Sequence, residues 1–162
     1  MPLVTMIDPE EEFTRDWDWY ACDVDGHLGH FASAGLRALP HSVKMDRDTA
    51  ERLARYFFDE AQDRTGYTVR PEAEADAGGW QKPGARERFL KSFIEMARKG
   101  AFSYNTQMLH GRAASYYLVA KPEIPLFVTD LPHEIADVVR RTRAPFSFAT
   151  TDYVPEVATL LW

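Results

Sequence analysis

The stretch from residue 17 to residue 34 constrains the fold more than any other part of the chain. Its first half, WDWYAC, alternates large apolar residues with polar or smaller ones, which is the period-two pattern of a strand. Asp25-Gly26 follows, a dipeptide suited to a two-residue turn in which both central residues have positive φ. Residues 27–32 predict the returning strand. We therefore expect a β-hairpin at the edge or in the centre of an antiparallel sheet.

Three later stretches have the apolar periodicity of helices. The first begins at Asp46 or Asp48 and is predicted to continue to about Arg64. The second covers 85–99, and the third starts near Asp130, with Pro132 tolerated in its first turn. Strands are predicted at 101–108 and 113–120, which form a second hairpin, with shorter extended pieces at 67–71, 126–128 and 146–148.

These elements predict an α+β fold, a mostly antiparallel sheet built from two hairpins with about three helices packed on it. The length of 162 residues favours a single domain over 1–162, in which residues 1–15 form a loosely ordered arm. Residues 72–84 contain three glycines and one proline, so we expect a loop there. Trp80 within this loop is expected to pack down as a plug or to cover a ligand.

Charge is unevenly distributed along the chain. The formal net charge is −6, but residues 1–76 contain 17 acidic and 8 basic residues, which gives −9. This balance disfavours phosphate backbones, so we expect no nucleic-acid partner, although Tyr104, Tyr116 and Tyr117 on predicted strands are residues of the type that stacks on bases. The acidic half favours either a basic protein partner or a surface that serves solubility alone.

The sequence also bears on the compartment. No stretch approaches the ~20 apolar residues that span a bilayer, so we expect no membrane association. The first residues lack the basic start and apolar run of a secretory signal. Cys22 is the only cysteine, so no internal disulfide can form. These features predict a cytoplasmic protein.

The hairpin carries the residues that invite a metal or catalytic interpretation. His27 and His30 are three apart on a predicted strand and point to opposite faces, so they cannot share one ion. His30 shares a face with Leu28 and is expected to be a packed or hydrogen-bonded histidine. Asp23, Asp25 and Gly26 match part of a calcium loop, but alanines occupy two ligand positions, at 21 and 32, and a turn is favoured. We therefore predict no metal site and no cofactor.

No residue is predicted to be catalytic. Cys22 lies mid-strand without a helix N-terminus to lower its pKa, so it is expected to be a small buried hydrophobe. The serines lack the context of a nucleophile elbow. The acids Asp16, Asp18, Asp23 and Asp25, together with Trp80, are instead candidates for contact with a partner. The chain is more in keeping with a binding protein than with an enzyme.

Two segments, W-x-W-Y-A-x-D-x-D-G-H-L-G-H-F-x-S-A-G at 17–35 and the Y-Y-L-V-A-K-P-E-I-P-L and D-L-P-H-E-I runs within 116–135, resemble small bacterial proteins of the immunity-protein type. The resemblance implies a non-catalytic bacterial protein-binding domain, an inhibitor of a toxin in its sharpest form, and carries over no active-site residue. The alternative is a small ligand-binding domain or enzyme with a pocket under the 72–84 loop. A homo-oligomer paired through a strand edge is also open.

Overall fold

A computed structural model of the chain describes residues 3–78, 83–106 and 115–154. Its helices are α1 (Pro9–Thr14), α2 (His41–Lys44), α3 (Arg47–Arg55), α4 (Pro71–Gly78), α5 (Ala85–Arg98) and α6 (His133–Val139). Its strands are β1 (Asp18–Cys22), β2 (Leu28–Ala32), β3 (Tyr67–Val69), β4 (Phe102–Thr106), β5 (Tyr116–Pro122) and β6 (Tyr153–Val154). A π-helical segment, Tyr56–Glu60, continues α3, and 3-10 turns cover Val128–Asp130 and Phe148–Thr150.

The strands of the described residues form one sheet in the order β1-β2-β4-β5-β3, with β6 pairing with β5. β2 and β4 run parallel, and the other pairings are antiparallel. This confirms the predicted α+β class and the mostly antiparallel sheet. The first hairpin lies at one edge of the sheet, and β4 and β5 pair as the second predicted hairpin requires.

The connection between β1 and β2 is longer than the sequence predicted. It contains five residues, 23–27, and Gly26 has a φ of +83°. Asp25 does not have positive φ, since Ala34 is the one non-glycine residue with positive φ among those the structure describes. The two-residue turn was therefore wrong. The Asp23 carboxylate determines the turn instead, because it accepts hydrogen bonds from the backbone of residues 25 and 27.

The sheet is covered on both faces. On one face, the rings of Trp19, Phe31, Tyr104 and Tyr116 pack against the N-terminal segment, α2 and Phe148. On the other, Tyr20 and Leu28 pack against α3, the π-helical segment, α5 and α6. Because both faces are covered, β2 is buried along its whole length.

The first predicted helix begins where expected and ends early. Of the two caps that the sequence left open, Asp46 is the one that caps α3, by accepting a hydrogen bond from the backbone of Thr49. The predicted end at Arg64 was wrong, since the helical residues stop at Glu60. The buried ammonium of Lys99 donates to the carbonyls of Phe57 and Phe58 and so satisfies the backbone at that point.

The 72–84 stretch is not entirely a loop. Pro71–Gly78 is helix α4, with Pro71 at its start, Glu72 and Glu74 in its first turn and Ala73 fully buried. Proline and acids are favourable at a helix start, and this local preference outweighs the glycines that follow. Trp80 lies outside the described residues. The second predicted helix is confirmed as α5, with Leu90, Phe93 and Ala97 buried.

The last part of the chain differs most from prediction. Helix α6 is confirmed, with Ile135 and Val139 buried, but the predicted start near Asp130 was wrong. Residues 128–130 form a 3-10 turn, and the helix begins at His133, directly after Pro132. The strand at 126–128 was wrong, because Phe127 forms only an isolated bridge with His27 before a 3-10 turn. The strand at 146–148 was also wrong: Phe148 begins a 3-10 turn, and its ring packs into the core.

The segment predicted as an arm contains α1, which has a capping box between Asp8 and Glu11. Ile7 is buried, and its backbone N–H donates to the carbonyl of Lys44 at 2.9 Å. Glu12 is also buried and accepts a hydrogen bond from the backbone of Leu39 at 2.8 Å. These contacts hold the segment against α2.

Candidate functional site

A buried polar chain runs from the edge of the sheet into its centre. The two ring nitrogens of His30 are each 2.7 Å from a partner, Nδ1 from Ser103 Oγ and Nε2 from Asp18 Oδ1. His30 and Ser103 are fully buried, whereas the Asp18 side chain is 26% exposed. The residue types match a serine-protease triad, but Ser103 has no access to a substrate. The three residues therefore form a buried hydrogen-bond network that stabilises the sheet. This agrees with the hydrogen-bonded histidine that the sequence predicts at His30.

Asp18 lines a small cleft at the outer edge of β1, between α2, α3 and α6. Its polar walls come from Asp18, Ser42, Asp46, Thr49, Arg141 and Thr142. Ser42 and Thr142 bond to each other at 2.6 Å, and Asp46 accepts from Thr49. The cavity volume is about 20 Å³, which has room for about one water molecule. It is too small for a metabolite.

Asp23 is fixed inside the protein by three backbone donors. Its Oδ1 accepts from the N–H groups of Asp25 at 2.9 Å and His27 at 2.8 Å, and its Oδ2 accepts from Phe148 N–H at 2.8 Å. The side chain has no exposed surface. Asp23 therefore joins the hairpin turn to the C-terminal segment, and its carboxylate is not presented to a partner.

Cys22 is half-buried at the end of β1, where its thiol donates to the carbonyl of Asp23 at 3.5 Å. Burial, and to a smaller extent the charge of Asp23, raise the pKa of this thiol. A raised pKa keeps the sulfur protonated and unreactive at neutral pH. None of the histidines in the described residues forms a hydrogen bond with it.

The other candidate contact residues lie at different depths. Asp16 is on the surface and accepts a hydrogen bond from Ala34 N–H at 2.7 Å. Partial desolvation of its carboxylate, opposed by that hydrogen bond and aided by the nearby charge of Asp18, raises its pKa. Asp25 is exposed at the tip of the hairpin. Of the four acids, Asp16 and Asp25 therefore present the most accessible carboxylates.

Exposed apolar side chains lie before α1 and near its two ends, and we call this set of residues the N-terminal patch. It consists of Leu3, Val4, Met6, Phe13, Leu36 and Met45, with exposures between 39% and 93%. Hydrogen bonds from Ile7 to Lys44 and from Arg47 to Thr5 bring Met6 alongside Met45 at the start of α1. The backbone at Gly35 lies against the carbonyl of Phe13, which places Leu36 near the end of the same helix. Because α1 has only six residues, its two ends are about 9 Å apart.

The charges around the N-terminal patch leave it acidic. Its basic side chains are neutralised within the protein: Arg15 pairs with Glu51 at 2.8 Å, Arg47 with Glu11 at 2.8 Å and Lys44 with Glu12 at 3.5 Å. Asp8, Glu10 and Asp16 are exposed, and within the described part of the chain none of the three forms an ion pair. The sequence showed this acidity, but not that apolar side chains accompany it.

The tyrosines considered for base stacking are inside the core. Tyr104 and Tyr116 are fully buried and Tyr117 is nearly so. Burial raises the pKa of Tyr104 far above its ordinary value, and its hydroxyl donates to the carbonyl of Thr151 at 2.6 Å. These rings therefore stabilise the sheet and offer no face to a nucleic acid.

Comparison of the chain with models of known protein families, with curated proteins and with solved structures finds no match. Function must therefore be argued from the surfaces and contacts described above. Among the described residues, no helix has the length and apolar character needed to cross a membrane.

Proposed function

We propose that this protein acts by binding a basic protein through the N-terminal patch. The observation that supports the proposal is the concentration of six exposed apolar side chains around α1, in a surface whose basic residues are already paired. Apolar patches rimmed by polar groups are typical of protein-binding sites. An immunity-type inhibitor of a basic bacterial toxin is the sharpest version of this function.

Two physical effects would cooperate at such an interface. Burial of side chains such as Phe13 and Leu36, each about half exposed, supplies the hydrophobic contribution to affinity. Asp8, Glu10 and Asp16 attract a basic partner over a distance of about one Debye length, roughly 8 Å at physiological salt. The acids therefore speed association, and added salt is expected to slow it.

Affinity capture with matched variants tests the proposal. The wild-type protein, a patch variant (Phe13→Ser with Leu36→Ser) and a control variant (Val24→Ser with Ile124→Ser) are immobilised and exposed to extract of the source cells. The control removes apolar side chains that are as exposed but lie outside the patch. Circular dichroism first verifies that all three are folded.

We expect the wild-type and control proteins to retain the same basic protein at low salt, and the patch variant to retain at least tenfold less. The purified partner should then bind with a stoichiometry of one, and in the immunity version its toxic activity should be inhibited on binding. Equal retention by the patch and control variants, or no retained protein at low salt, would contradict the proposal.

The small-ligand alternative has less support. The cleft beside β1 holds about 20 Å³, and its polar walls are hydrogen-bonded to one another. The pocket expected beneath the 72–84 loop involves Trp80, which lies outside the described residues. We therefore propose no catalytic reaction.

A further inference from the structure

The hairpin turn brings three metal-ligating side chains together that the N-terminal patch does not use. Asp23, Asp25 and His27 alternate along the turn, and one ligand atom from each lies within 4.8 Å of the others. His30, the other histidine of the hairpin, is bonded to Asp18 and Ser103 instead. Residues 23, 25 and 27 are spaced two apart, and this spacing is the sequence signal that could have indicated a shared ion.

His27 supplies the observation that points to a ligand. Its Nδ1 atom is buried and has no hydrogen-bond partner, and it lies 3.9 Å from Asp23 Oδ2, too far for a hydrogen bond. The ring is held between Phe127 and Phe102, with centroid distances of 4.9 and 5.8 Å. An unsatisfied buried nitrogen costs free energy, and an unseen ion or water is one of the ordinary explanations for it.

The two carboxylates complement this nitrogen. Asp23 is held rigidly by its three backbone donors, and a carboxylate has about four acceptor positions, so Oδ2 retains one for a cation. Asp25 is exposed, so it can approach an ion while leaving the outer side open to water. A fully buried carboxylate is also usually paired with a cation or a metal, and among the described residues the basic group within 4 Å of Asp23 is the His27 ring.

We propose that Asp23, Asp25 and His27 bind one divalent transition-metal ion, of which Zn²⁺ is the natural probe. One imidazole nitrogen and two carboxylate oxygens suit Zn²⁺ or Mn²⁺ better than Ca²⁺, which takes six to eight oxygen ligands. Asp23 already accepts hydrogen bonds from the hairpin turn and from Phe148. An ion bound to Asp23 would therefore stabilise the contact between these two segments.

Isothermal titration of chelator-treated protein with ZnCl₂ tests this site. Wild-type protein should bind one Zn²⁺, and Asp25→Asn and His27→Gln should each weaken binding at least tenfold. His133→Gln is the matched control, because His133 and Asp137 form an exposed histidine–carboxylate pair at 3.2 Å, the kind of surface pair that binds Zn²⁺ adventitiously. Its affinity should stay within twofold of the wild type.

Thermal unfolding gives a second readout that does not depend on calorimetry. Zn²⁺ should raise the melting temperature of the wild-type and His133→Gln proteins, and at the same Zn²⁺ concentration it should raise those of Asp25→Asn and His27→Gln by less. If wild-type protein binds no Zn²⁺, or if the hairpin variants bind it as tightly as the wild type does, the proposal is wrong.

Discussion

Single residues decide most of the polar structure of this protein, and His30 is the clearest case. Its two ring nitrogens have one partner each, in a core that excludes water. Whichever tautomer is present, loss of either partner leaves a buried polar atom unsatisfied. The sequence predicted a packed or hydrogen-bonded histidine but could not identify Ser103, because the two residues meet only through the parallel pairing of β2 and β4.

We expect Ser103→Ala to lower the free energy of unfolding by about 1–3 kcal/mol, because it leaves His30 Nδ1 without a partner. Urea denaturation at pH 7 measures the change. Ser92→Ala, on the half-buried side of α5, serves as the control and should change stability by less than about 0.5 kcal/mol. Equal effects of the two substitutions would show that the hydrogen bond contributes nothing measurable.

At the scale of the element, α3 begins at a residue that the sequence indicated and ends at one that the tertiary structure decides. The start of α3 depends on Asp46, whose side chain accepts from the backbone and hydroxyl of Thr49. Such caps are local, so they can be read from the sequence. The end at Glu60 depends on Lys99, which is some forty residues away and could not be foreseen.

Asp46→Ala should destabilise the protein by about 0.5–2 kcal/mol at pH 7, through loss of the cap. The side-chain hydrogen bond from Thr49 is the main cause that lowers the pKa of Asp46 below its ordinary value of 3.8. The contribution of the carboxylate is therefore complete above pH 3.8 and is lost as the pH falls through the lower folded-state pKa.

Urea unfolding of both proteins across this pH range tests the prediction. The difference between wild type and Asp46→Ala should shrink as the pH drops from about 5 to about 2. Asp48→Ala, in the first turn of the same helix but not the cap, should show a smaller difference at pH 7. If the difference in the free energy of unfolding does not depend on pH, the loss of stability has a cause other than the ionised carboxylate of Asp46.

At the scale of the whole molecule, the segment around Phe148 covers the core on one face of the first hairpin. Phe148 packs against Phe31 and Tyr104, and its ring occupies the space beside Gly29, where a Cβ atom would lie 2.6 Å from it. Asp23 fastens the same segment through its backbone. The hairpin is therefore completed by residues more than a hundred positions later.

Gly29→Ala should destabilise the protein by about 1–3 kcal/mol, because the added methyl group overlaps the Phe148 ring. Phe148→Leu in the same chain should relieve the overlap, so that the double variant loses less stability than the two single variants added together. Phe57→Leu, on the opposite face of the sheet, is the control and should add to Gly29→Ala without coupling. Full additivity of the first pair would contradict the packing that the structure shows.

Local signals in the sequence predicted the alternation of β1, the apolar stripes of α3, α5 and α6, a cap at Asp46 or Asp48, and the resulting α+β class. Which polar groups are exposed and which are buried depends on contacts between segments that are distant in the sequence. Asp23 and Asp25 look equivalent in sequence, yet one carries the turn inside the protein and the other is exposed at its tip. The N-terminal patch and the buried, unpaired Nδ1 atom of His27 likewise arise from contacts between distant segments. Burial is a property of the assembled chain, so no local pattern of residue types could assign it.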